Sequence, residues 1–188
     1  MNKLKLFMYV FVAFVNVTCN AQNDADIDFS NCINQSTEFY SENPDIDFYE
    51  MMDEVEQVIL TEMSKRSFKR FIEKIYEDSL FEEKAYSLMQ KVFNKYNYDY
   101  TIFNTKVLID CPYLIVSKYN IGKGTTLYKQ SMKVEEIRKK GYLDSKDLFN
   151  ELVDLTPKND FKEIKYRTPI LLGLVNKMIV SRSLIKKQ

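Results

Sequence analysis

The sequence predicts an all-α protein, an irregular multi-helix bundle that follows a cleaved N-terminal signal peptide. Turn-forming residues are scarce, with 4 Gly and 4 Pro among 188 residues, whereas an all-β protein needs them at short intervals. Apolar residues recur at helical spacing along most of the chain. With 45% hydrophobic residues, the chain has enough apolar side chains to build a globular core.

The first 21 residues have the pattern of an export signal. Lys3 and Lys5 precede an apolar run at 6–17, which is shorter than the roughly 20 residues that a membrane-spanning helix needs. The favoured interpretation is cleavage after Ala21; the alternative is lipidation of Cys19. We therefore expect an exported protein, periplasmic or extracellular, that is attached to a membrane only if Cys19 carries a lipid.

The rest of the chain is predicted to form one domain. Residues 22–29 are expected to be an acidic mobile lead-in, and residues 30–188 a single helical domain. Charge is unevenly distributed, since residues 22–64 hold 12 acidic and no basic residues, whereas 156–188 hold 8 basic and 2 acidic ones. The acidic region 45–63 is therefore expected to lie close to basic residues of later helices, Arg167 among them.

Four helices are predicted in the first half of this domain. The first spans about 30–40, and the second starts at Asp45 or Asp47 and ends near residue 63. Ser64 is the expected N-cap of the third helix and Ser79 that of the fourth. The third helix has an apolar stripe at spacing i, i+3, i+4, i+7 and i+8, formed by Phe68, Phe71, Ile72, Ile75 and Tyr76.

The segment 104–119 has an ambiguous pattern. Its apolar residues have helical spacing, but Pro112 lies inside the segment and should kink a helix. The run YLIVSKY also suits a strand, with the following residues as a turn. A helix is favoured, and an α+β fold with a small hairpin near 113–128 is the alternative.

Four further helices are predicted toward the C-terminus. The last begins with Pro169 in its first turn, a position that suits proline. Its sequence TPILLGLVNKMIV, at 168–180, is apolar on nearly every side, which is typical of a central buried helix. The predicted ranges are 132–140, 145–155, 159–166 and 169–185.

Two cysteines remain if Cys19 leaves with the signal or carries a lipid. In an oxidising compartment, Cys32 and Cys111 are candidates for a disulfide. The alternative is a pair of buried free thiols, since free cysteine is among the most buried residue types.

The absence of histidine limits the chemistry. With 0 His in the chain, Ser-His-Asp catalysis, Cys-His catalysis and His-ligated zinc are excluded. Two cysteines are too few for a four-cysteine metal site. We therefore predict no cofactor and no metal, and we favour a non-enzyme. Net charge is near zero, which gives no reason to expect a nucleic-acid partner.

Three alternating tyrosines are the candidate interaction residues. In an extended segment, Tyr96, Tyr98 and Tyr100 would point the same way, and tyrosine is enriched at protein interfaces. The alternative is that they close the core between helices. The favoured function is protein–protein interaction with an unknown protein, as an envelope accessory protein or an immunity-type inhibitor. The alternatives are a carboxylate-based glycan or cell-wall hydrolase and a carrier of an apolar ligand.

Overall fold

The computed structural model describes residues 24–25, 27–32, 34–35, 46–60, 62, 64–98, 111, 116–118, 125–140 and 145–185. The fold is all-α, as predicted, and no strand lies within these ranges. The described part of the N-terminal region up to residue 35 is helical. The later elements are α1 Phe48–Ile59, α2 Lys65–Glu77, α3 Ser79–Lys95, α4 Thr126–Lys140, α5 Lys146–Leu155, a 3-10 turn Asp160–Lys162 and α6 Ile164–Ile185.

Short polar side chains begin four of these helices. Asp47, one of the two predicted starts of α1, and the predicted cap Ser64 accept backbone N–H groups from the first turns of α1 and α2. Ser145 caps α5 in the same way. The predicted cap Ser79 is wrong by one residue, because the carboxylate of Asp78 takes two N–H groups of the first turn of α3. An acidic group also complements the positive end of the helix dipole.

Two helix boundaries differ clearly from the prediction. Helix α4 starts at Thr126 rather than 132, and α6 starts at Ile164, which places Pro169 inside the helix rather than in its first turn. The predicted helix 159–166 is a 3-10 turn followed by the start of α6. The first turn of α6 holds Tyr166 and Arg167, which are both buried. Their tertiary contacts outweigh the local preference of Pro169 for a helix start.

The ambiguous segment 104–119 is only partly described. Cys111 and residues 116–118 are helical, and 126–128 belong to α4. These residues support the helical interpretation and not the hairpin. Residues 104–110, 112–115 and 119 lie outside the described ranges.

Helical residues also begin earlier than expected at the N-terminus. Ala25 and Phe29, within the predicted lead-in, are helical and belong to the core. They stand at i and i+4 with Cys32 at i+7, which is one face of a helix. Among the described residues, the core therefore begins before the predicted boundary at residue 30. Residues 1–21, the predicted signal peptide, lie outside them.

Helix α6 is the centre of the bundle, as the sequence predicted. It contacts each of α1 to α5. Its central residues Ile170, Leu171, Leu174, Val175 and Met178 are fully buried. Within the described part of the chain, none of the helices combines the length and the apolar character needed to span a membrane.

Candidate functional site

Of the three tyrosines in the predicted interaction patch, the two that the structure describes are not fully exposed. Tyr98 is 6% exposed and packs on the ring of Phe93 at 5.4 Å between centroids, so its place in the patch is wrong. Tyr96 is half-buried, and its hydroxyl donates a hydrogen bond to Glu54 at 3.1 Å. Tyr100 lies outside the described residues. For Tyr98 the alternative holds, because a tyrosine that follows the end of α3 can fold back over its apolar face.

The structure places the two predicted cysteines together. Cys32 and Cys111 are joined, with their Cα atoms 5.8 Å apart, a normal separation for a disulfide. A second contact joins the same two regions, since Lys118 donates to Asp28 at 2.5 Å. The disulfide and this ion pair are therefore among the contacts that hold the N-terminal helical region, and Asn34 also accepts a hydrogen bond from the backbone N–H of Phe48 at 3.2 Å. The minor lipidation candidate Cys19 lies outside the described residues.

A buried ion pair connects α1 with α6. Glu56 is 0% exposed and Arg167 is 4% exposed. Arg167 donates from Nε to Oε1 of Glu56 at 2.7 Å and from Nη2 to Oε2 at 2.8 Å, a bidentate arrangement. Its Nη1 donates to the carbonyl of Phe161 at 2.8 Å. The expected proximity of the acidic region to Arg167 is confirmed, although the sequence did not reveal that the pair is buried.

Burial raises the pKa of Glu56, and the hydrogen bonds from Arg167 offset part of that rise. Asp53, whose carboxylate lies 3.9 Å from Nη2 of Arg167, adds to the rise. Because the carboxylate is enclosed and faces the guanidinium, no substrate can reach it in this conformation. The geometry is that of a structural pair.

A neighbouring carboxylate on α1 behaves in the opposite way. Glu54 accepts a hydrogen bond from Lys95 at 2.6 Å, and this contact is the main reason that the pKa of Glu54 is lowered. The pKa of Tyr96 is raised, first by burial and then by its hydrogen bond to Glu54. This cluster ties α1 to the end of α3 at the surface.

Helices α4 and α5 form an antiparallel hairpin. Thr126 donates to Asp160, and Gln130 donates to Thr156 at 2.9 Å and to the carbonyl of Tyr166 at 2.8 Å. Position 126 thus faces 160 and position 130 faces 156, so the chain direction reverses. These buried polar contacts fix the two helices beside each other.

An open groove of about 640 Å³ runs along the outer side of this hairpin. Its apolar side chains are Tyr128, Met132 and Leu155. Met132 is 48% exposed, so about half of this apolar side chain faces solvent beside the groove. The charged residues that line the groove are Lys129, Lys133, Glu136, Glu151 and Asp154.

Most of these charges are paired with other side chains. Lys133 lies between Glu151 and Glu136, and these carboxylates raise the pKa of Lys133. Asp154 pairs with Lys69 at 2.7 Å. Lys129 makes no ion pair with any residue in the described ranges. The groove therefore offers an exposed apolar side chain, a lysine that forms no ion pair with a described residue, and carboxylates that are mostly paired.

Sequence reasoning missed this groove because it placed the start of α4 at residue 132. Gln130, which is buried, interrupts the apolar pattern of the first two turns. Its Nε2 donates only to residues distant in sequence, and its buried Oε1 has no hydrogen-bond partner among the described residues, so no local signal marks it as a core position. The available clue was the helical spacing of Leu127, Gln130 and Val134. To use it, the polar residue Gln130 has to be counted as a buried member of the apolar stripe.

No described residues form a group of three or more carboxylates or cysteines that could hold a metal ion. Comparison of the chain with family models, with curated proteins and with solved structures gives no match.

Proposed function

We propose that this chain is an exported helical protein that acts by binding another protein through the groove between α4 and α5. The observation that carries the proposal is the exposure of Met132 at 48% in a groove framed by two helices. Methionine is flexible and polarisable, and it is common on surfaces that bind protein. A groove between two helices suits an apolar side chain presented by a partner.

The carboxylates of the groove favour binding over glycan hydrolysis. A glycosidase needs two carboxylates that flank its substrate. In the groove, Glu136 and Glu151 both form ion pairs with Lys133. The groove is also open along its length, whereas a carrier encloses most of its apolar ligand.

Export is supported by the N-terminal sequence and by the cysteine pair. A positive start and a short apolar run are typical of a signal peptide, and a disulfide persists in oxidising compartments. Mass spectrometry of exported material should find a mature chain that starts at Gln22. Non-reducing peptide mapping should find Cys32 linked to Cys111. A diacylated N-terminus at Cys19 would contradict cleavage after Ala21, and two free thiols would contradict the disulfide.

Binding through the groove is tested by site-specific photo-crosslinking in the native cells. A photoreactive residue at position 132 should yield a discrete cross-linked protein species. The matched control is position 80, because Leu80 is an apolar side chain on α3 that is 77% exposed. Equal labelling from both positions, or none from position 132, would overturn the proposal, as would turnover of peptidoglycan by the purified protein.

A further inference from the structure

Building on the proposed function, we infer that the protein bound at this groove is a second copy of the same chain. The two copies form a two-fold dimer in which their α4 helices lie antiparallel. The inference rests on the order of charges along the exposed side of α4.

The exposed side of α4 carries a stripe of three residues. Lys129, Met132 and Glu136 stand at i, i+3 and i+7, which is the spacing of residues that meet along a helix–helix seam. All three are exposed. Because an α-helix rises about 1.5 Å per residue, the two charges are about 10 Å apart with the methionine between them. Along the helix, the stripe therefore consists of a cation, an apolar group and an anion, in that order.

This order is complementary to itself when the helix is reversed. In a two-fold interface, if residue i contacts residue j of the other copy, then j also contacts i. With two antiparallel α4 helices centred between positions 132 and 133, Lys129 of each copy faces Glu136 of the partner subunit. The two Met132 side chains meet beside the axis. The two-fold rotation thus pairs both charges across the interface and covers the exposed apolar side chain.

The state of each charge fits this arrangement. Lys129 forms no ion pair with a described residue, and its side chain is exposed. Glu136 contacts Lys133 at 3.2 Å and makes a further contact, yet its side chain is 47% exposed, so part of it faces solvent. The mature chain that starts at Gln22 holds 25 basic and 27 acidic residues, a formal net charge of −2, so the general electrostatic repulsion between two copies is weak. An unrelated partner would need a matching stripe, whereas a second copy has one by construction.

The test is a charge exchange followed by sedimentation velocity of the exported, full-length mature protein. The wild type should be a dimer whose affinity falls with salt. Lys129→Glu places two carboxylates opposite each other twice, and Glu136→Lys does the same with two cations. Each single variant should therefore bind its copy at least about tenfold more weakly. The double variant Lys129→Glu/Glu136→Lys should return to within about threefold of the wild type, because it restores both pairs.

A mixture of the two single variants provides a second, independent readout. Each pairing in the mixed dimer joins opposite charges, so an equimolar mixture should dimerise more strongly than either variant alone. Circular dichroism melting of each variant checks that the fold is retained. A wild type that stays monomeric up to its solubility limit, a dimer insensitive to the single changes, or a double variant weaker than both singles would overturn the inference.

The outcome also separates this inference from the proposed function. If the wild type is monomeric while the photoreactive residue at position 132 captures a protein of different mass, the inference fails and the proposed function stands. If the captured species has twice the mass of the chain, both stand. If position 132 captures nothing and the protein is monomeric, both fail.

Discussion

Two helix contacts in this protein each pair a glutamate with a basic residue, and they reach opposite states. Between α1 and α6, Glu56 and Arg167 are sealed from solvent and satisfy each other. Between α4 and α5, Lys133 and Glu151 lie at the rim of an open groove beside the exposed Met132. The first pair lies where apolar side chains surround it on the central helix, and the second lies at the outside of a hairpin.

Burial separates charges that only stabilise the fold from charges that can still contact another partner. A buried charge that loses its partner has neither a counter-ion nor water beside it. Removing either member of the pair therefore strongly destabilises the fold. An exposed charge keeps its hydration and can exchange one partner for another at little cost. The closed contact should therefore control stability, and the open one should control association. The following predictions test this division.

The largest effect is expected from breaking the closed pair. Arg167→Met leaves Glu56 buried without a cation, and the free energy of unfolding should fall by about 3–5 kcal/mol in urea titrations. The matched control is Lys133→Met at the groove, which should change it by less than about 1 kcal/mol.

A double variant separates the loss of attraction from the cost of an unpaired charge. Glu56→Leu/Arg167→Met removes both charges and should recover most of the stability lost by Arg167→Met. A double variant as unstable as the single one would show that packing around Arg167, rather than its charge, determines the effect.

The next effect concerns how tightly the closed side is packed. A Cβ atom at Gly173 of α6 would lie 2.2 Å from a ring carbon of Phe149 on α5, too close for any normal contact. Gly173→Ala should therefore destabilise the fold by about 1–3 kcal/mol, measured by urea unfolding. In an open helix the same change is stabilising.

The ring of Phe149 provides the control. If the clash causes the loss, Phe149→Leu should reduce the cost of Gly173→Ala, so the two changes together cost less than their sum. Strict additivity would contradict the proposed contact.

A change of pH is expected to have a smaller effect on stability, with opposite signs for two carboxylates of α1. The pKa of Glu54 is lowered from its ordinary value of 4.5, mainly by the hydrogen bond from Lys95. Its contribution to stability is therefore present above pH 4.5 and is lost as the pH falls through its folded-state pKa. The pKa of Glu56 is raised by burial, so its contribution is full below pH 4.5 and is lost as the pH rises through its folded-state pKa.

Urea titrations at a series of pH values measure both contributions. Glu54→Gln should reduce the loss of stability seen below pH 4.5. Glu56→Gln should remove a gain of stability that the wild type shows as the pH is lowered from neutral toward 4.5. The same pH slope in both variants would contradict the opposite environments assigned to the two carboxylates.

The smallest effect on stability is expected at the groove itself. Met132→Asp adds a charge to a side chain that is already half in water, so the free energy of unfolding should change by no more than about 0.5 kcal/mol. The same change at Val55, which is fully buried on α1, should prevent folding. A large loss of stability with Met132→Asp would show that the groove belongs to the closed core.

The local features of the sequence predicted the helical part of the fold well. Ser64 was identified as a cap, and Asp45 or Asp47 as a helix start, because a short polar side chain before an apolar stripe satisfies free N–H groups nearby. The apolar run 168–180 identified the central helix because a helix without a polar face must be buried. Boundaries failed where distant contacts decide them, as at Ile164 and Thr126.

The candidate site was much less predictable. Tyr98 was assigned to a surface because alternation along a strand is a local pattern, but the chain turns after α3 and buries it against Phe93. The exposure of Met132 was not predicted, since exposure depends on which helix packs beside α4. The charge asymmetry did predict that the acidic region meets Arg167, because opposite charges attract in almost any compact arrangement.

The sequence by itself determined the all-α class, the cap Ser64, the central position of α6 and the absence of histidine chemistry. These properties depend on residue type and on spacing within a few turns. The tertiary structure alone decided that Glu56 is buried, that Cys32 meets Cys111 and that α4 and α5 leave a groove around Met132. Each of these depends on contacts between residues far apart in the chain, and burial is a property of the assembled surface rather than of any segment.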